Sequence, residues 1–213
     1  MPKPILYSFR RCPYAIRARM ALQITGLKTE LREIVLRDKA PEFLAVSPSQ
    51  TVPALVLGSQ VIDESLDIMK WALQQNDPGG WLDMPSDGHA LISEADGPFK
   101  TALDRTKYAS RYPDEDKLDH RARASKFLYQ LDQRLQQGYL FGQKPSLADM
   151  AILPFVRQFA FIDKDWFDAQ DWPDLKRWLK AFLASGLFLA VMGKYPKWQA
   201  GEAATIFPAS ANI

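Results

Sequence analysis

The chain has one cysteine and two histidines in 213 residues, and that scarcity removes whole classes of chemistry. A single cysteine cannot form an intrachain disulfide or a multi-cysteine metal site, and it fits a reducing compartment. His89 and His120 have no partner at metal-ligand spacing, so both read as surface or packing residues and no metal is expected. Long apolar runs are missing too. The longest notable uncharged run, Ala181 to Gly193, falls short of the ~20 apolar residues that a bilayer span needs. Pro2 and Pro4 stand where a signal peptide would carry its charged and apolar regions. These absences predict a cytoplasmic, soluble protein with no membrane partner. Net charge is only +2, so no basic footprint points to nucleic acid. Repeats, low-complexity tracts and glycine-rich phosphate loops are absent.

What is present is ordinary in bulk and uneven in detail. A hydrophobic content of 47% with 24% charged residues suits one large or two small globular domains. In the first forty residues, however, lysine and arginine outnumber the acids nine to three. A locally positive first lobe suits a small anionic ligand; the plain alternative is a solvated basic face.

The lone cysteine sits in the run Leu6-Tyr7-Ser8-Phe9-Arg10-Arg11-Cys12-Pro13-Tyr14-Ala15, which continues to Leu22. Ile5, Leu6 and Tyr7 read as a short strand. Ile16, Met20 and Ile24 then recur at helical spacing. Pro13 suits the first turn of a helix, where a missing N–H costs nothing. Cys12 therefore falls at a strand-to-helix junction. Free N–H groups and the positive end of the helix dipole favour an anion there. A thiol so placed can ionise well below its ordinary pKa, and Arg10, Arg11, Arg17 and Arg19 lie close in sequence. Cys12 is a candidate nucleophile; the alternative is a small buried apolar residue.

The predicted order through the first lobe is strand, helix, strand, helix, strand, strand, helix. Helix one spans Pro13 to Thr25 and stops at Gly26. Glu30 to Leu36 reads as a strand, Pro41 to Val46 as a short helix and Ala54 to Leu57 as a strand. Gly58-Ser59-Gln60 turns the chain into Val61-Ile62. Glu64 opens a helix with Ile68, Met69, Ala72 and Leu73 on one face, and Asp63 or Ser65 is a candidate cap. Residues 1–76 form this domain, 77–88 the linker and 89–213 an all-helical domain. In that second domain Ala124, Leu128, Leu131 and Leu135 form a stripe. Ser146-Leu147-Ala148-Asp149 has the form of a capping box. Pro154 is expected to kink the helix that follows. Asp171-Trp172-Pro173-Asp174 is expected to cap another helix, with Leu175, Trp178, Leu179 and Phe182 inward.

The run YSFRRCPYAIRARMAL resembles the N-terminal motif of cysteine-type, omega-like glutathione transferases. The likeness extends along the whole chain, with specific motifs confined to the first lobe. It implies an α/β thioredoxin-like N-terminal domain (βαβαββα) followed by an all-α C-terminal domain. Ala15 stands where a dithiol enzyme has its second cysteine, so a monothiol mechanism is implied. In Thr51-Val52-Pro53-Ala54-Leu55, the resemblance implies a cis Val52–Pro53 bond against Cys12, with the Val52 backbone offered to glutathione. Glu64 and Ser65 match the pair that holds its γ-glutamyl end. Lys39 matches a lysine reaching the glycyl carboxylate, and Tyr14 an aromatic whose backbone meets the ligand. Tyr108, Arg111 and Tyr112 match a helix that helps build the second-substrate pocket. The implied activity is glutathione-dependent thiol transfer or reduction through a Cys12–glutathione mixed disulfide. Small disulfides, dehydroascorbate or glutathionylated molecules are the implied substrates, and a homodimer the implied assembly. Two alternatives stand: conjugation of glutathione to electrophiles with help from Ser8 or Tyr7, and a non-catalytic stress-response or interaction protein of the same fold.

Overall fold

The computed structural model describes residues 3–209. It divides into two compact units. Of the described residues, one unit holds those up to Gly79 together with those from Ser185 to residue 209; the other is Gly80–Ala184.

The first unit is built on a five-stranded sheet of order β4-β3-β1-β2-β5. Strand β1 (Ile5–Ser8) pairs in parallel with β2 (Thr29–Glu33), Leu6 opposite Leu31. It pairs antiparallel with β3 (Ala54–Leu57), which turns back into β4 (Gln60–Ile62). Helix α1 (Pro13–Thr25) links the parallel pair, as a parallel connection requires. Gly26 ends it in the left-handed conformation at φ 73°, which glycine adopts without steric cost. Helices α2 (Pro41–Val46) and α3 (Ser65–Gln75) complete the βαβαββα order.

Helix α1 carries no single apolar stripe, because nearly all of it is buried: Ala15, Ile16, Ala18, Met20, Ala21 and Leu22 are fully inaccessible. It packs against α3 on one side and α10 (Gly186–Val191) on another. A helix covered all round buries whatever it carries, so Arg17 and Arg19 are at 1% and 0% exposure. Burying each Leu or Ile contributes about 2 kcal/mol. Burying each guanidinium costs free energy and demands partners.

Three expectations need correction in this unit. Strand β2 ends at Glu33, not Leu36, because the Asp38 N–H turns back onto the Val35 carbonyl at 2.9 Å and Val35 bridges Asp38. Helix α3 starts at Ser65 with Glu64 as N-cap, and no side chain caps it; Asp63 instead accepts from the Ser49 N–H at 3.0 Å. The chain after the helical region is not all helix. Thr205–Phe207 forms β5, antiparallel to β2 with Glu30 opposite Ile206. The helical unit therefore closes at Ala184, and the segment expected within 89–213 from Ser185 onward groups with the sheet.

The second unit is helical throughout: α4 (Asp87–Glu94), a π-helical turn at Ala95–Phe99 containing Pro98, α5 (Lys100–Lys107), α6 (Lys117–Arg134), α7 (Leu147–Ala160), α8 (Lys164–Asp168) and α9 (Pro173–Ala184). The capping box forms as predicted, with Ser146 and Asp149 bonding reciprocally. Asp149 also accepts from the Leu140 N–H at 3.0 Å and the Trp178 indole at 3.1 Å. Helix α7 runs continuously through Pro154. At the start of α9, Asp132 of α6 accepts the Leu175 N–H at 2.9 Å. Among the described residues no helix is long and apolar enough to cross a membrane.

Candidate active site

Cys12 is the N-cap of α1, extended at φ −71° and ψ 124°, with Pro13 at the first helical position. Between Ser8 and Cys12 the chain makes one turn, closed by the Cys12 N–H donating to the Phe9 carbonyl at 3.0 Å. Cys12 as a residue is intermediate between buried and exposed. Its thiol lies 3.6 Å from the carbonyl of Val52, and the Val52–Pro53 bond is cis. Two motifs forty residues apart thus meet beyond the ends of β1 and β3, as the resemblance implied.

The remaining sequence-derived candidates are distributed around this junction unevenly. Ser65, at 3% exposure, opens α3, and its hydroxyl accepts from Arg17 at 3.5 Å. Glu64, one residue earlier, is exposed. Tyr14 follows Pro13 and its ring lies 5.6 Å from the Arg17 guanidinium. Lys39 donates to the Gln50 carbonyl at 2.9 Å, tying its loop to the residue before Thr51. Gln50 itself is left-handed at φ 53°, a conformation that costs an ordinary residue roughly 1 kcal/mol. In the other unit, Arg111 lies over the Tyr108 ring at 4.6 Å, and Arg105 over Tyr112 at 5.2 Å. Tyr108 and Arg111 thus pair with each other after α5, while Tyr112 pairs with Arg105.

The rival hydroxyls are committed elsewhere. Ser8 is fully buried and accepts from the Arg19 Nε at 2.8 Å. Tyr7, at 2% exposure, bonds Arg32 Nη1 at 2.7 Å. Burial pushes the Tyr7 phenol up from its ordinary value, and the Arg32 charge only partly offsets this. Arg32 is in turn stacked over Trp198 at 4.2 Å.

Sequence reasoning treated Arg19 as one of four cations near the thiol and gave Glu33 no part. The structure pairs them: Arg19 Nη2 binds Glu33 Oε2, and Glu33 Oε1 accepts the Arg10 backbone N–H at 2.6 Å. Burial pushes the Arg19 guanidinium down from its ordinary value, against the opposing pull of Glu33. No signal in a single sequence marks either residue as buried. His120 is buried against Glu115, not solvent, while His89 is exposed. Among the described residues no group of histidine, cysteine and carboxylate side chains could hold a metal ion.

The sequence matches the profile of the glutathione S-transferase N-terminal domain over residues 6–80 and that of the C-terminal domain over residues 90–181. The chain belongs to the glutathione S-transferase family. Among curated relatives, Protein IN2-1 homolog B of Oryza sativa subsp. indica is 29% identical over 158 residues. That match covers 72% of this chain, which spans only 64% of the rice protein's length. Of solved structures, glutathione transferase Omega 3C from Trametes versicolor superposes with a TM-score of 0.73 at 20% identity, covering 92% of this chain and 91% of that one. A glutathione transferase family member from Pseudomonas fluorescens with two glutathione bound gives 0.74 at 24% identity, with 89% and 92% covered. These two likenesses speak for the transferase fold, a mixed-sheet thioredoxin-like domain followed by a helical one.

Proposed function

We propose that this glutathione transferase is a glutathione-dependent thiol transferase that works through Cys12 alone. The supporting observation is a contrast. Cys12 is partly exposed at a helix start beside the Val52 carbonyl, whereas the Ser8 and Tyr7 hydroxyls are buried and bonded to arginines. Of the three residues, Cys12 is the one that is not buried. The helix N-terminus stabilises its thiolate.

In the proposed cycle the Cys12 thiolate attacks the glutathionyl sulfur of a mixed disulfide. A Cys12–glutathione disulfide forms and the other thiolate leaves. A second glutathione, as thiolate, attacks that disulfide, releasing oxidised glutathione and restoring the Cys12 thiolate. No second cysteine exists in the chain to resolve the intermediate, so the resolving thiol comes from solution. Glutathione is the co-substrate. It is held by the Val52 backbone before Pro53 in the manner of an added strand, by Glu64 and Ser65 at its γ-glutamyl end, by Lys39 at its glycyl carboxylate and by Tyr14 through the backbone. Tyr108, Arg111 and Tyr112 contribute to the second-substrate pocket. The cytoplasm as its compartment and a homodimer as its assembly complete the reading.

Intact mass after incubation with oxidised glutathione tests it. The expected result is one added glutathionyl group on the wild type, none on Cys12→Ala, and removal by excess thiol. Reductase activity retained in Cys12→Ala overturns the reading. So does chlorodinitrobenzene turnover far above disulfide reduction, which favours conjugation. Failure to stay on immobilised glutathione favours the non-catalytic alternative.

A further inference from the structure

The turn that carries Cys12 is held from behind by a buried carboxylate. Glu33 stands at the end of β2 with a side chain 10% exposed, and its two oxygens face in different directions. Oε1 accepts the backbone N–H of Arg10, two residues before the cysteine, at 2.6 Å. Oε2 is paired with Nη2 of Arg19, seven residues after the cysteine, whose side chain is fully buried. Arg19 then fastens the far side: its Nε donates to Ser8 Oγ at 2.8 Å and its Nη1 to the Val191 carbonyl at 3.2 Å. The backbone repeats the connection, since the Ile34 N–H donates to the Ser8 carbonyl at 2.7 Å and the Trp198 N–H to the Glu33 carbonyl at 2.9 Å.

We infer that Glu33, locked by Arg19, is the positioning residue that sets the Phe9–Cys12 turn and so aims the Cys12 sulfur along the α1 N-terminus. The turn is closed by a backbone bond from Cys12 to Phe9. Without Glu33 the Arg10 N–H loses the acceptor that fixes the turn's middle. A buried ion pair is a poor way to gain stability, because apolar residues of similar volume serve as well or better. A charged acceptor for one particular backbone N–H is something apolar residues cannot supply. The segment from Val191 to Trp198 lies against the pair: besides the Val191 carbonyl and the Trp198 N–H, the Tyr195 ring lies 5.7 Å from the Arg19 guanidinium.

The inference rests on the reading of Cys12 as the attacking group, yet its test needs no glutathione. Alkylation of Cys12 by iodoacetamide is followed against pH in the full chain and in Glu33→Gln. The carboxamide has one acceptor oxygen where two are needed, so the Arg10 N–H and Arg19 compete for it. The expected outcome is a midpoint raised by about one pH unit, which is a roughly tenfold loss of thiolate at pH values below both midpoints. Hydrogen exchange at the Arg10 N–H is expected to speed up in step. Lys197→Ala, which removes the Lys197–Asp38 ion pair of the same C-terminal segment, is expected to leave the profile unchanged.

Where Glu33→Gln fails to fold because Arg19 is left unpaired, the double variant E33L/R19M removes both charges and takes its place. It is expected to fold and to show the same raised midpoint. A wild-type midpoint in either folded variant overturns the inference, as does failure of both to fold, which makes the pair a folding element only. A shifted midpoint in a protein whose wild type transfers no thiol leaves the positioning role standing and sinks the proposed activity alone.

Discussion

Glu33 and Asp149 are both withdrawn from water, at 8% and 0% exposure, yet they are satisfied in opposite ways. Asp149 takes only neutral donors: the Ser146 N–H and hydroxyl at 2.8 and 2.7 Å, the Leu140 N–H and the Trp178 indole. Glu33 takes a backbone N–H and a guanidinium. The neutral set gathers one helix start, one loop and one neighbouring helix around a point. The charged set ties the turn before Cys12 to a strand and to the helix that follows. The difference separates a carboxylate that assembles a fold from one that presents a reactive atom. It also separates what mutations in each unit should disturb.

The largest effect belongs to the sulfur. Cys12→Ala is expected to bring disulfide reduction to background while changing stability by no more than about 1 kcal/mol. Activity assays and urea unfolding measured together check both halves. A large stability loss would mean that the sulfur is packing, and the contrast with Asp149 would collapse.

Next comes the converse. Asp149→Ala deletes the capping box and strands several buried donors. It is expected to cost about 3 kcal/mol, from roughly 1 for the cap and the rest for unpaired groups. Cys12 alkylation is expected to be untouched. The pH dependence sharpens this. Burial pushes the Asp149 carboxyl above its ordinary value of 3.8, outweighing the hydrogen bonds from Ser146, Leu140 and Trp178. A folded pKa above the unfolded one means that the folded protein binds this proton more tightly. The resulting stability is fully present below the unfolded value and is lost as pH rises through the folded one. Relative to Asp149→Asn, the wild type should therefore gain stability as pH falls through that range. A gap that shrinks on acidification contradicts the burial argument.

Legibility followed the same divide between local and distant causes. The strand before Cys12, Pro13 at the helix start, Gly26 at its end and the Ser146–Asp149 box are read from neighbours within a turn. Each sits where the pattern places it. The meeting of Cys12 with Val52–Pro53 came from resemblance, since no local rule joins residues forty apart. Strand β5 is three residues long and pairs with Thr29–Leu31 from the far end of the chain, so no periodicity could reveal it. In the sequence Arg19 reads as a cation near the thiol and Glu33 as a strand residue, and nothing local joins the two. They are buried because α1 is covered on every side, α10 included, and that cover is tertiary. Strand β2 reads too long because Val35 and Leu36 are apolar, although Leu36 is 45% exposed beyond the turn.

The smallest expected effect tests whether the first unit holds a second chemically active hydroxyl. The Tyr7 hydroxyl oxygen accepts from Arg32, and its ring packs on Phe43 at 5.2 Å between centroids. Tyr7→Phe keeps the ring and removes one hydrogen bond, so a loss of about 1 kcal/mol is expected. Arg32 retains its pairing with Glu30 and its stacking on Trp198, which limits the damage. If Cys12 alone carries the chemistry, both thiol transfer and the Cys12 alkylation profile survive this change. If the phenol stabilises a glutathione thiolate, conjugation falls while alkylation of Cys12 stays constant, and the division between a structural tyrosine and a reactive cysteine fails. The upward push on the Tyr7 phenol by burial favours the first outcome, because a phenol that resists ionisation and already serves an arginine has little left to offer a ligand.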